Sequence, residues 1–297
     1  MRIGIGPVRF TDRGIVARVF GESGAWSDIA RGIALRGHPV SKPEDLVPLL
    51  ERLKESRPQW IEAHRSTTMA AVQERAMRIA QLTAERGIIR SFFNRFRIRA
   101  LRSEIASLYS RDESYPAFLD QTTARVQSLL DSAELAGAEA ELAVIRLLLQ
   151  LPDSFLVFND VRLRATRHIY FDGAALQSAQ LDHVVLSKGG VFVIETKHWS
   201  SRFVESGNFH DPYDQSRRAG YLCYDLLRQR FGKIPVQSVI VCAGSLPARP
   251  EGTYVDVVRP EALVDYIGRH RKEQFSDAML AELSSFFEQC VATRAGV

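Results

Sequence analysis

A stretch in the second half of the chain restricts the fold most. Two apolar, β-branched segments, QLDHVVLS (180–187) and VFVIETKHW (191–199), flank the turn-forming Lys188-Gly189-Gly190. Strand-forming segments on either side of such a turn predict a β-hairpin. A loop of two residues or of four gives the same register, in which the numbers of paired residues add up to 377. That register places Asp182 directly opposite Glu195.

Three polar side chains meet at one end of this otherwise apolar hairpin. Glu195 and Lys197 are two residues apart on a strand, so their side chains leave the same face, which Asp182 shares. Carboxylates about 5 Å apart across a hairpin repel each other unless a cation lies between them. Oxygen-rich ligands favour Mg²⁺ or Mn²⁺ over zinc. A lysine beside them would neutralise a phosphate and orient or activate the attacking water, so the group points to metal-assisted phosphodiester hydrolysis.

A further carboxylate is predicted to join this group from a helix. In GAEAELAVIRLLLQL, Glu141 lies on the apolar stripe, because apolar residues follow it three, four and seven positions later. A carboxylate that faces a core needs a partner. A metal ion or Lys197 would supply one.

The periodicity changes along the chain. Residues 43–130 have helical periodicity and are expected to form a helical arm or hairpin. A helix is expected to start near Pro116 and to continue through Leu149, with a break near Gly137. Beyond Pro152, strand and helix patterns alternate, which predicts a mixed α/β domain. We therefore expect two domains, a mostly helical and basic N-terminal region over 1–130 and an α/β domain over 131–297.

Composition excludes several classes of protein. The 297 residues are 45% hydrophobic and 25% charged, which is ordinary for a globular chain. The cysteines Cys223, Cys242 and Cys290 form no CxxC pair, which excludes a zinc site of that type, and their sparse use fits a reducing compartment. No apolar run reaches the roughly 18 residues of a membrane-spanning helix. We expect a cytoplasmic protein without integral membrane association.

Charge is distributed unevenly. Residues 1–130 carry 21 Lys and Arg against 14 Asp and Glu, whereas residues 131–297 carry 18 against 21. The basic part contains RGIIRSFFNRFRIRALR (86–102), with six arginines and no acid. These arginines could track a phosphate backbone while the aromatic residues stack on bases. Two other interpretations are an amphipathic helix on an anionic membrane surface and a packed arm with solvated arginines. On the first interpretation, the nucleic-acid-binding residues are Arg90, Arg95, Arg97 and Arg99.

Three segments, in this order, resemble a known family. GAEAELAVIRLLLQL, QLDHVVLSKGGVFVIETKHW and DPYDQSRRAGYL are similar to the nuclease-related domain (NERD) family over about residues 135–245. That family belongs to the PD-(D/E)xK nucleases, so the resemblance implies a restriction-endonuclease-like mixed sheet flanked by helices. Ala140 and Ser201 replace glycines that are usual in the family, and neither change removes a metal ligand.

The resemblance also implies a set of catalytic residues: Glu141, Asp182, Glu195, Lys197 and Gln215. Of these, Asp182, Glu195 and Glu141 would ligate Mg²⁺ or Mn²⁺, with the backbone carbonyl of Thr196 as a further oxygen. Gln215 corresponds to the glutamine of the family's Pro-x-x-Gln element.

The leading functional hypothesis is a metal-dependent DNA nuclease with a D…ExK site. The alternative is a catalytically silent nucleic-acid-binding or assembly protein that retains the nuclease fold, because such folds also serve as binding modules. A third hypothesis is a membrane-surface scaffold built on the basic helix. DNA is the expected partner, and the helical N-terminal region is the expected site for a protein partner or for self-association.

Overall fold

The computed structural model describes most of the chain: residues 17–33, 39–85, 88–269 and 273–291, with only the backbone over 88–92. These residues form two compact units. An α/β unit contains the described residues of 1–31 and of 133–297, and a helical unit contains those of 32–132. The sequence suggested a boundary at residue 130 with everything before it in a separate region. In the structure, the first strand and the first helix pack with the C-terminal part instead.

The chain begins its regular structure with β1 (Arg18–Phe20) and α1 (Gly24–Gly32). The helical unit follows with α2 (Leu46–Glu55), α3 (Arg57–Ala84) and α4 (Ile88–Leu129).

The α/β unit then continues with strands and helices. Its further strands are β2 (Leu156–Phe171), β3 (Ala174–Ser187), β4 (Gly190–Lys197), β5 (Val236–Cys242) and β6 (Asp256–Val258). Its further helices are α5 (Ala133–Leu148), α6 (Ser201–Glu205), α7 (Pro212–Phe231), α8 (Leu263–Arg269) and α9 (Asp277–Cys290).

In the described part of the chain, the strands form one mixed sheet in sequential order, β1 to β6. The central strands β2, β3 and β4 are antiparallel, whereas β1 runs parallel to β2, and β5 and β6 continue parallel to β4. This mixed α/β architecture confirms the predicted fold class. The hairpin of β3 and β4 therefore occupies the middle of the sheet, where both faces are covered.

Helices cover both faces of the sheet. On one face, Leu222 of α7 and Phe287 of α9 pack with Phe158 of β2. On the other face, Leu148 of α5 and Ile267 of α8 pack in a second cluster. The near-continuous apolar sequence of β4 follows from this burial on both sides.

The helical unit has its own buried residues. The leucines of α2 are all buried and form its apolar face: Leu46, Leu49, Leu50 and Leu53. Arg57 of α3 makes a two-pronged ion pair with Asp120 of α4, at 2.8 and 2.9 Å. Arg75 of α3 binds Glu104 of α4 at 2.7 Å.

The expectation of a helix start near Pro116 was wrong. Helix α4 runs through Pro116, and the chain turns at 130–132 rather than at Gly137, which lies inside α5. A proline within a helix costs about 3 kcal/mol because it removes one backbone hydrogen bond and crowds the preceding turn. Helix α4 contacts α3 on both sides of the proline, at Glu104 and Asp120, so both of its halves are held by the same neighbouring helix.

Candidate active site

The hairpin has the register expected from its sequence. Paired residues run from Ser187 with Gly190 to His183 with Ile194, and each pair adds up to 377. One further step in this register sets Asp182 opposite Glu195. The Asp182 carboxylate accepts a hydrogen bond from the backbone N–H of Thr196 at 2.7 Å, which ties β3 to the end of β4.

Glu195 is the centre of a polar group at the end of β4. The residue is 5% exposed. Its Oε1 accepts a hydrogen bond from the Lys197 ammonium at 2.6 Å and from the Gln215 amide at 2.9 Å. The Lys197 ammonium also lies 5.6 Å from the centre of the Trp199 ring. The structure therefore brings Glu195, Lys197 and Gln215 together, as the spacing of the ExK pair and the family pattern suggested.

The position of Gln215 follows from how α7 begins. Asp211 caps this helix, because its carboxylate accepts a hydrogen bond from the N–H of Tyr213 at 2.8 Å. Pro212 occupies the first helical position, where its missing N–H is not needed. The sequence Asp-Pro thus fixes the start of the helix and places Gln215 in its first turn, facing Glu195.

Glu141 reaches the same region from α5. Its Oε2 accepts hydrogen bonds from the Ser23 hydroxyl at 2.6 Å and from the backbone N–H of Ala25 at 3.3 Å. Desolvation is the main cause that raises the pKa of Glu141, and the charges of Glu195 and Asp160 raise it further, against these two hydrogen bonds, which lower it. Glu141 is therefore held by the N-terminal segment and feels the charges of the other carboxylates.

Asp182 has the most unfavourable electrostatic environment of the group. It keeps some solvent contact, but protein atoms surround its carboxylate, and desolvation raises its pKa well above the ordinary value. The negative charges of Glu195 and Glu141 raise this pKa further, while the Thr196 N–H and the Lys197 ammonium lower it. The site thus concentrates more negative charge than its lysine neutralises.

Sequence reasoning missed one member of this region, Asp160 on β2. It has a left-handed backbone, with φ of 48°, and lies between the pairs Asn159–His183 and Val161–Leu181, so the register of β2 and β3 sets it opposite Asp182. Its carboxylate accepts a hydrogen bond from the Gln180 amide at 2.7 Å. The signal in the sequence is a polar pair, Asn159-Asp160, inside an apolar strand. Asp and Asn tolerate this conformation better than most residues do.

His183 is not a metal ligand candidate. It is fully buried, and its Nδ1 donates a hydrogen bond to the Asn159 amide oxygen at 2.8 Å. Burial lowers its pKa to about 3, so the ring is neutral at physiological pH. Because His183 directly follows Asp182 on β3, strand alternation directs the two side chains to opposite faces of the sheet, which is consistent with a packing role for the histidine.

The metal-binding capacity of the site can be assessed from its donors. Nowhere in the described ranges do three or more Asp, Glu, His or Cys side chains gather closely enough to hold a metal ion. Asp182 and Glu195 supply oxygens on adjacent strands, and the carbonyl of Thr196 directly follows Glu195 in sequence. Their excess negative charge and oxygen-only chemistry fit Mg²⁺ or Mn²⁺ and do not fit zinc.

The basic segment lies on α4, in the helical unit. Arg95, Arg97 and Arg99 are exposed there, while the side chain of Arg90 lies outside the described residues. Phe96 is 61% exposed, so this aromatic side chain is not buried within the helical unit.

Comparison with known proteins agrees with the α/β unit. Residues 136–243 match the family model of the nuclease-related domain, which confirms the resemblance over this part of the chain. The solved structure of protein VC1899 from Vibrio cholerae is 12% identical with a TM-score of 0.27, and the match covers 85% of this chain and 59% of that one. No curated protein matches the chain. Among the described helices, none is both long and apolar enough to cross a membrane.

Proposed function

We propose that the α/β unit is a metal-dependent nuclease that hydrolyses phosphodiester bonds of DNA. The observation that carries this proposal is the meeting of Asp182, Glu195 and Lys197 at the end of the hairpin within a nuclease-related domain. Glu141 and Gln215 belong to the same group through their interactions with Glu195.

Asp182 and Glu195 would hold Mg²⁺ or Mn²⁺, with the carbonyl of Thr196 as a further oxygen donor. Glu141 would be an additional donor after moving closer to them, because no three such side chains gather in the described residues. Such an ion, when bound, stabilises negative charge on the phosphate oxygens and favours attack by water. It would also relieve the repulsion among the carboxylates that raises the pKa of Asp182.

The chain's own side chains divide the remaining tasks. The Lys197 ammonium, held by Glu195 at 2.6 Å, supplies a fixed positive charge for a phosphate oxygen and a donor that orients the attacking water. Gln215 donates a hydrogen bond from α7 to the Glu195 carboxylate, which limits the rotamers of that side chain. Trp199 lies beside the lysine and restricts the side on which the ammonium can move.

The test is cleavage of supercoiled plasmid and labelled oligonucleotides with Mg²⁺, Mn²⁺ or EDTA. Lys197→Ala and Glu195→Gln are expected to lower the cleavage rate by about 10²-fold or more, which is typical for loss of a positioned acid–base or electrostatic group. Lys188→Ala is the matched control, because this lysine lies in the turn of the same hairpin, where it pairs with Asp277.

Cleavage by Lys197→Ala at the wild-type rate would refute the assigned site. Binding of DNA without cleavage in either metal would instead support the second candidate, a silent nucleic-acid-binding protein. One observation favours this second candidate: the described residues contain no group of three ligating side chains close enough to hold a metal ion.

A further inference from the structure

The loop between β1 and α1 lies directly on the candidate site. A side chain at Gly21, whose φ is 78°, would overlap the backbone oxygen of Asn159. A Cβ at Gly24 would lie 3.0 Å from both the Asp160 carboxylate and the Gln180 amide. Gly21 is therefore required by the close approach of this loop to β2, and a side chain at Gly24 would crowd two side chains of β2 and β3.

Ser23, between these glycines, has two partners. Its hydroxyl donates to Glu141 at 2.6 Å and accepts from the N–H of Trp26 at 3.1 Å, so it caps α1 and binds the carboxylate at the same time. The residue is 1% exposed, and α1 is anchored by the buried Trp26 and Ile29. The hydroxyl is thus fixed in place by the fold.

We infer that Ser23 is a positioning residue, which holds the Glu141 carboxylate where it interacts electrostatically with Asp182 and Glu195, so that a segment preceding the nuclease-related domain completes its active site. The inference rests on the proposed function for its catalytic consequence. The contact itself is independent of that function.

The charges explain why Glu141 needs this partner. The negative charges of Glu195 and Asp160 oppose an ionised carboxylate at this position. A glutamate side chain has several rotatable bonds and would turn away from like charges if nothing held it. Ser23 and the N–H of Ala25 supply two donors at the start of α1, where the helix dipole also favours an anion.

The experiment compares Ser23→Ala with Ser23→Thr in cleavage kinetics on an oligonucleotide. Ser23→Ala removes the donor and is expected to lower kcat by about 10- to 100-fold, as is typical when a supporting hydrogen bond to a metal-site ligand is removed. KM is expected to change by less than about twofold, because the substitution touches no group that binds substrate. Ser23→Thr keeps a hydroxyl and should recover most of kcat. Ser27→Ala, on the same helix, is the control and should behave as wild type.

A second pair of variants separates positioning from helix capping. Asparagine and aspartate are of equal size and both cap helices well. Asparagine can also donate to Glu141, whereas aspartate places a carboxylate against it. Ser23→Asn is therefore expected to be the more active of the two by at least about tenfold. Equal kcat values for these two folded variants would assign Ser23 a capping role only and overturn the inference.

A readout without metal or substrate tests the contact directly. We expect the shifts in urea midpoint of Ser23→Ala and Glu141→Ala, measured in EDTA, to be non-additive in the double variant, because both remove the same interaction. Additive shifts would overturn the inference whatever the chain cleaves. If the wild-type protein cleaves no nucleic acid but the shifts are non-additive, the proposed function fails while the Ser23–Glu141 contact stands.

Discussion

At the scale of single residues, two carboxylates of the α/β unit, the buried Asp225 and the half-buried Asp182, differ in their partners. Asp225 on α7 is 5% exposed and accepts hydrogen bonds from Arg228 at 2.8 Å and from Gln229 at 2.6 Å. Asp182 accepts one from a backbone N–H and lies in the field of Glu195 and Glu141. The first carboxylate is paired with two donors, whereas the second lies among negative charges that oppose its ionised form.

This contrast predicts opposite effects of the same substitution. Asp182→Asn keeps an acceptor for the Thr196 N–H and removes the repulsion from Glu195 and Glu141, so it should raise the free energy of unfolding in EDTA. Asp225→Asn weakens the pairing with Arg228 and should lower it by about 1–2 kcal/mol. Urea denaturation in EDTA measures both changes. A loss of stability in both variants would contradict the distinction.

At the scale of elements, the approach of α7 to the sheet depends on a glycine. A Cβ at Gly220 would overlap the hydroxyl of Ser238 on β5. Gly137 of α5, in contrast, has nothing within 4 Å of the position where a Cβ would lie. The two glycines occupy helices of the same unit but have different structural roles, which sequence alone does not distinguish.

Substitution by alanine should separate the two glycines. Gly137→Ala is expected to raise the free energy of unfolding by about 0.5–1 kcal/mol, because alanine loses less conformational entropy in a helix. Gly220→Ala should lower it by about 1–3 kcal/mol through overpacking. Adding Ser238→Ala removes the overlapping hydroxyl and should recover part of this loss. Recovery is expected to be incomplete, because the Cβ of residue 238 would still lie 3.3 Å from the new methyl group. Thermal and urea unfolding of the four proteins checks these expectations, and a stabilising Gly220→Ala would contradict the packing.

The sequence predicts an element correctly where the residues that shape it are neighbours in the chain. The β3–β4 hairpin has its register set by a turn of neighbouring residues, and that register was predicted correctly. The prediction of a helix start near Pro116 was wrong, because α4 continues through this proline while contacting α3. One of these contacts joins residues that are 63 positions apart in sequence. The link from Ser23 to Glu141 spans 118 residues. No periodicity or spacing reports such a contact.

At the scale of the whole molecule, charge and chemistry lie in different parts of the chain. The candidate site gathers carboxylates in the α/β unit, whereas the excess of arginine lies in residues 1–130. An acidic site does not by itself attract a polyanion, so we expect affinity for nucleic acid to come from elsewhere. Arg95, Arg97 and Arg99 on α4 are exposed and have the density of positive charge required.

We therefore expect these arginines to govern the salt dependence of DNA binding. Replacing Arg90, Arg95, Arg97 and Arg99 with glutamine should weaken binding and reduce the slope of log K against log salt by about 0.9 for each phosphate of duplex DNA that the variant no longer neutralises. The control replaces four exposed arginines elsewhere in the helical unit, which changes the net charge equally: Arg52, Arg65, Arg78 and Arg111. Titration of duplex and single-stranded oligonucleotides at two salt concentrations measures both slopes.

Equal slopes for the two quadruple variants would show that net charge alone matters. An unchanged slope in the first would leave the segment as a surface for a protein partner or for self-association, and tighter binding to single strands would indicate stacking on exposed aromatics such as Phe96.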